Sequence, residues 1–237
     1  MSKIEKYDPE LGDNATDRTV AVLKSVAGLV PWAGTAFGEI ISQTIPNQRI
    51  ERLEKYLKHL ALRLDAMQVD DIADKIKRVE NVDFFEDGAY LAARAMSDER
   101  MKYIANCVAE GIAKDQLDKT REKRVLRLLQ DLDDEEIILL NGYCGQTEEA
   151  KSVFQNLRPE PAHLGSSPDV VSEEALYKAA IANLEQLGLI EIYYMSARKG
   201  EQPEFDTAGK LKGGHRRITW LGRILLKKIG LIETEMP

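Results

Sequence analysis

The stretch EEALYKAAIANLEQLGLIEIYY, residues 173–194, changes its periodicity once, at Gly188. Up to that point the apolar spacing is helical and predicts a common face made of Leu176, Ala180, Leu184 and Leu187. Glycine is typical of the position that ends a helix, because it adopts the left-handed conformation at low cost. Residues 189–194 then alternate in polarity, as a strand does. The stretch therefore predicts a helix followed directly by a strand.

A return strand and a final helix are predicted further on. A loop rich in glycine, lysine and proline spans residues 196–214, residues 216–219 predict the strand, and Thr219 predicts an N-cap. The phrases LEQLGLIE and RRITWLGRILL, in this order of elements, resemble the end of a winged-helix domain. The resemblance implies a small α+β domain over residues 173–237.

The chain before this domain predicts helices almost throughout, because apolar residues recur at spacings of three and four. Glycine, proline and serine accumulate between residues 142 and 172, which predicts a linker. The fold class is therefore mainly α, a multi-helix bundle followed by a small winged-helix-like domain. The predicted organisation is a polar tail at 1–18, a helical bundle at 19–145, a linker at 146–172 and the winged-helix-like domain at 173–237.

One segment of the bundle has no charged residue between Lys24 and Glu39, and Pro31 should break it into a helical hairpin. The run is too short for a helix that spans a bilayer. Two interpretations stay open: a hairpin buried in the bundle, or one that docks on a membrane or a partner after a trigger. The second would use five residues of the segment, namely Val30, Trp32, Gly34, Phe37 and Gly38.

Composition limits the partners and the compartment. The 237 residues include 33 basic and 40 acidic side chains, and a net charge of −7 disfavours nonspecific nucleic-acid binding by the whole surface. Cys107 lies in a helical apolar repeat, which predicts a buried thiol rather than a disulfide scaffold. The first 18 residues are polar and do not resemble a secretion signal. A cytoplasmic location fits both observations.

The C-terminal hairpin and the final helix form a basic region in an acidic chain. Residues 196–228 carry nine basic and three acidic side chains, a balance of +6. A basic wing can contact phosphates, and the predicted phosphate contacts are Lys210, Lys212, Arg216 and Arg217. The helix that would enter a DNA groove is less suited to base reading, since it offers Lys178, Asn183 and Gln186 but also carries Glu173, Glu174 and Glu185. The alternative is a module that makes protein contacts or packs on the bundle.

Motifs of catalysis are not found in the sequence. It has no nucleophile elbow, P-loop or dinucleotide-binding glycine motif, and its three histidines lack partners at metal-ligand spacing. The acidic run Asp131–Glu136 is interpreted as a helix start, in which Asp133 and Glu136 form a capping box, rather than as a magnesium site. We therefore expect a non-enzyme with no catalytic residue, metal or cofactor.

The layout of the whole chain resembles a known family. The apolar N-terminal segment is followed by RIERLEKYLKHLALRL (49–64), DERMKYIANCVAEGI (98–112) and RVLRLLQDLDDEEIILL (124–140), and then by ANLEQLGLIE (182–191) and RRITWLGRILL (216–226). This order resembles the bacterial abortive-infection alpha family, which implies a phage-defence or toxin-like protein and brings no catalytic residues with it.

Three hypotheses about function follow from these observations. The first is a non-enzymatic bacterial defence or stress protein that acts through contacts with a protein partner or with copies of itself. The second is a winged-helix transcriptional regulator that binds DNA through the basic wing. The third is a membrane-active, toxin-like effector that uses the apolar hairpin.

Overall fold

The structure, a computed structural model, describes residues 24, 28, 50–68, 71–114, 119–145, 148–194, 205 and 213–233. These residues are mainly helical and contain one small antiparallel sheet, so the mainly α class is confirmed in this coarse form. The predicted polar tail at 1–18, the hairpin residues Val30, Trp32, Gly34, Phe37 and Gly38, and the wing residues Lys210 and Lys212 lie outside the described residues.

Two compact units divide the chain, Met1–Gln130 and Asp131–Pro237. The sequence places the boundary later, within residues 146–172. The difference arises because the apolar helix Asp134–Cys144 packs among the C-terminal elements. In addition, the segment expected to be a linker contains a helix, Glu148–Asn156.

The first unit is built around one central helix. The helices whose bounds lie among its described residues are α1 (Ile50–Ala66), α2 (Ile72–Ile76), α3 (Val79–Arg94), α4 (Asp98–Ala113) and α5 (Lys119–Gln130). Of these, α4 packs against each of the other four. It can do so because it carries small buried residues, which let neighbouring helices approach on several sides: Ala105, Cys107, Ala109 and Gly111.

Two sequence signals belong to α4: Ser97 or Asp98 as its N-cap, and a buried thiol at Cys107. Ser97 caps the helix, since its hydroxyl accepts a hydrogen bond from the Arg100 backbone N–H at 3.1 Å. Cys107 is fully buried and is not part of a disulfide, as expected. The close contact of α3 with α4 requires glycine at two positions: a Cβ at Gly88 would lie 2.5 Å from Val108 Cγ2, and one at Gly111 would meet the Phe84 ring.

The second unit is built around the helix that begins it. Its elements are α6 (Asp134–Cys144), α7 (Glu148–Asn156), α8 (Pro168–Gln186), β1 (Ile190–Tyr194), β2 (Gly214–Ile218) and α9 (Trp220–Lys228). Helix α6 packs against α7, α8, α9 and β2. The predicted capping box is confirmed, because Asp133 Oδ1 accepts from the Glu136 N–H at 2.7 Å and Glu136 Oε2 accepts from the Asp133 N–H at 2.9 Å.

The C-terminal elements occur in the predicted order with shifted bounds. Helix α8 begins at Pro168, five residues before the expected Glu173, after a cap by Ser167. Strand β2 covers Gly214–Ile218 rather than residues 216–219. Gly188 has a φ of +71° directly after α8, and Thr219 Oγ1 accepts from the Gly222 N–H at 3.1 Å to begin α9, so both of these local signals are confirmed.

Candidate functional site

The two arginines of the hairpin lie on opposite faces of the sheet. In the antiparallel register Arg217 pairs with Glu191 and Arg216 pairs with Ile192. Directly paired residues share a face, and successive residues of a strand point to opposite faces. The sequence grouped Arg216 and Arg217 as one phosphate-binding pair, but the sheet separates them.

Arg216 lies on the face that carries the buried pair Ile190 and Ile218. Its Nε donates to Glu185 Oε1 of α8 at 2.6 Å, and both side chains remain partly exposed. Tyr143 of α6 interacts electrostatically with both members of this ion pair and shares a side-chain hydrogen bond with Tyr177 of α8. Arg216 therefore belongs to a polar cluster within the unit that joins β2, α6 and α8.

The tyrosine of this cluster has an altered acidity. Burial first, and then the neighbouring Tyr177 and its hydrogen bond, raise the pKa of Tyr143 to about 12, against the lowering effect of Arg216. The ring of Phe154 packs edge-on against Tyr143, with the ring centroids 4.9 Å apart. This contact contributes to the half-buried environment that favours the neutral phenol.

We expect the raised pKa of Tyr143 to appear in an alkaline titration. The folded state keeps its phenol protonated up to a pH of about 12, whereas an unfolded tyrosine ionises near 10, so the unfolded state binds fewer protons between these values. Stability should consequently fall as the pH rises above 10. Ultraviolet difference spectra of the wild type and Tyr143→Phe should differ by one phenol that ionises near 12. If the phenol that the Tyr143→Phe variant lacks is one that titrates near 10, the assignment is contradicted.

Arg217 lies on the other face of the sheet, which is exposed. Its Nε donates to Glu191 Oε1 at 2.8 Å, and its guanidinium carbon lies 4.1 Å from the ring centroid of Tyr193. The His215 ring stands edge-on to the same tyrosine, with centroids 5.3 Å apart. Exposed ion pairs stabilise a protein by only about 0–1 kcal/mol, so a phosphate could displace Glu191 from Arg217. In the absence of phosphate, Glu191 partly neutralises the positive charge of this face.

Two of the three α8 residues predicted as candidates for base reading already have partners. Lys178 pairs with Glu174 at 3.0 Å. The Asn183 amide donates to Glu136 Oε1 at 2.8 Å and to the Asp131 carbonyl at 3.2 Å. Of the three candidates only Gln186, at the end of the helix, is exposed and outside such a pair. These contacts weaken the case for base reading by α8 that the sequence offered.

Large apolar side chains of the second unit are exposed instead. Leu176 on α8 is 72% exposed and Trp220 on α9 is 56% exposed. The expectation that Leu176 shares a face with Leu184 is wrong, because Leu184 and Ile181 are buried while Leu176 points to solvent. Eight residues turn a helix by about 80° beyond two full turns, and that is enough to take Leu176 off the buried face.

Two further observations concern metal ligands and membranes. Among them, no group of three or more His, Cys, Asp or Glu side chains could hold a metal ion. In the part of the chain that the structure describes, every helix is too short or too polar to cross a lipid bilayer.

Comparisons of the chain with protein-family models, with curated proteins and with solved structures give no match.

Proposed function

We propose that the protein is non-enzymatic and acts through protein contacts made by its second unit. The observation that carries the proposal is the exposure of Leu176 in the middle of α8, accompanied by Trp220 on α9. Burial of a leucine side chain is favourable by about 2 kcal/mol, and exposed apolar patches are typical of interaction surfaces. A partner that covers these side chains would gain this free energy.

The order of elements supports a winged-helix-like interpretation of the same unit. A helix, two antiparallel strands and a final helix follow one another, and the hairpin between the strands would be the wing. The resemblance of the layout to the abortive-infection alpha family suggests the setting, which is defence against phage in the bacterial cytoplasm. In this proposal the unit is an adaptor and performs no chemistry.

Replacement of Leu176 by arginine should abolish protection in cells challenged with a phage panel. The change places a charge where a partner would bury an apolar side chain, so we expect plaque counts to return to those of cells without the gene. The matched control is Leu164→Arg, because Leu164 is also an exposed leucine of this unit. Equal unfolding temperatures would show that both variants fold.

Two results would count against the proposal. If the wild-type protein leaves plaque counts unchanged across a broad phage panel, the proposed role in phage defence is excluded. A Leu176→Arg variant that still protects cells would show that this surface does not bind the partner.

A second candidate function is binding of DNA by the wing. The observation that favours it is the exposed face on which Arg217 and His215 flank Tyr193. Arg217 can contact a phosphate there, and the tyrosine ring fixes the guanidinium position. Lys210 and Lys212 remain predicted contacts, since they lie outside the described residues.

The two arginines should differ in a mobility-shift titration. If the outer face binds DNA, Arg217→Ala weakens all sequences alike and reduces the slope of log K against log salt by about 0.9, as one lost phosphate contact does. Arg216→Ala is the control, because Arg216 lies on the other face and pairs with Glu185. Absence of any shift at micromolar protein in low salt would remove this candidate.

The membrane-active effector remains a prediction from the sequence alone. The five residues assigned to it, which run from Val30 to Gly38, lie outside the described residues.

A further inference from the structure

Helix α8 carries an acidic and apolar surface. Asp169, Glu173 and Leu176 are spaced at i, i+4 and i+7, so they lie along one side of the helix, and all three are exposed. Neither carboxylate has an ion-pair partner among the described residues. We call these three residues the α8 patch.

Helix α9 carries a basic and apolar surface with the same spacing. Trp220, Ile224 and Lys227 are also at i, i+4 and i+7, and all three are exposed. The opposite side of the helix is buried through Leu225, Leu226 and Ile229. Lys227 has no ion-pair partner in the described part of the chain. We call these three residues the α9 patch.

The two patches complement each other in charge, apolar content and length. Each spans seven residue steps, or about 10.5 Å at 1.5 Å per residue. With the helices antiparallel, Leu176 would lie opposite Trp220, and Lys227 would lie opposite Asp169 and within one turn of Glu173. The apolar ends and the oppositely charged ends then coincide.

We propose that the partner of the second unit is a second copy of this chain, with the α8 patch of one copy bound to the α9 patch of the other. The inference rests on the proposed function and names the partner class. A second copy is favoured because one chain supplies both complementary surfaces in equal number. The acidic α8 patch would repel nucleic acid. Since the two surfaces differ, the contact forms twice in a two-fold dimer or once per subunit in a closed ring.

Sedimentation velocity of the full chain tests the proposal at concentrations up to about 100 µM, well above the Kd of specific protein contacts. The wild type should associate, and high salt should weaken the association because charged pairs contribute to it. Leu176→Arg and Trp220→Ala should each sediment as monomers, whereas Leu164→Arg should behave as the wild type. A wild type that stays monomeric throughout overturns the proposal.

A charge exchange identifies the surfaces. The acid-reversal variant (Asp169→Lys with Glu173→Lys) and the base-reversal variant (Lys227→Glu) should each associate at least about tenfold more weakly than the wild type, since like charges then face each other. Combining both reversals in one chain restores attraction at every contact of a dimer or a ring and should recover the wild-type Kd. Unfolding temperatures confirm that each variant folds. Failure of the combined variant to recover association shows that these two patches are not the interface.

The same variants separate this inference from the proposed function. If the wild type is monomeric but Leu176→Arg still abolishes protection, the partner is a different protein and only the inference fails. If the patches mediate association but no variant alters plaque counts, the inference stands and the defence proposal fails. DNA that binds the wild type but not the base-reversal variant, with the wild type monomeric, would likewise overturn the inference.

Discussion

Gly111→Ala should lower the free energy of unfolding by about 3 kcal/mol, at the upper end of what overpacking of a core costs. A Cβ at this position of α4 would overlap Cε1 of the Phe84 ring and lie 2.8 Å from its Cζ. Phe84 is fully buried in α3, so a shift of its ring would displace other core atoms. Urea denaturation should show a lower midpoint with an unchanged m-value. Gly28→Ala is the control, since Gly28 is helical and exposed, and a methyl group there would meet no atom within 4 Å.

The obstacle in this case is a side chain, and a second substitution can remove it. Phe84→Leu alone should cost about 1–2 kcal/mol through the volume it removes. In the double variant the shorter side chain leaves room for the new methyl group, so the combined loss should be smaller than the sum by at least about 1 kcal/mol. Strictly additive losses would show that the Phe84 ring is not what Gly111 accommodates.

Gly222→Ala should cost a similar amount, about 3 kcal/mol, for a reason that no side-chain change can relieve. A Cβ on this residue of α9 would overlap the Leu189 carbonyl oxygen, which is backbone. That oxygen already accepts the Thr219 N–H at 2.9 Å and the Thr219 hydroxyl at 3.1 Å, so the surrounding chain holds it in place. Chemical denaturation followed by circular dichroism should show the loss.

The second atom that a methyl group at position 222 would meet is Ile218 Cγ1, at 2.7 Å. Ile218→Val keeps both γ carbons, so combining it with Gly222→Ala should give additive losses, in contrast to the Gly111 and Phe84 pair. A Gly222→Ala variant as stable as the wild type would mean that α9 does not approach Leu189 this closely.

Local signals predicted the elements well because each depends on a few neighbouring residues. Ser97, Asp133 and Thr219 cap helices through their own side chains, and Gly188 adopts the left-handed conformation that ends α8. The early start of α8 has the same kind of cause, a serine followed by proline at the first helical position, Ser167 and Pro168. That signal lies within the residues whose glycine, proline and serine content predicts a linker.

Tertiary relations were predicted less well because they depend on residues far apart in the chain. The sequence assigned Leu176 to the buried face, and only the packing of α8 through Ile181 and Leu184 shows which side meets the core. The alternation of a strand already implied that Arg216 and Arg217 diverge. Their carboxylate partners, Glu185 and Glu191, follow from the strand register and from the placement of α8, which no local pattern encodes.

The position of α6 determines how the gene can be cut for the production of fragments. Leu140 of α6 approaches Gly222 of α9, and the α6 capping-box residue Glu136 binds Asn183 of α8. An expression fragment starting at residue 146 or 173 would leave those apolar and polar groups uncovered, which favours inclusion bodies over native folding. A fragment that starts at Asp131 keeps both contacts and the N-cap at Asp133, and is therefore the choice for isotope labelling and crystallisation trials.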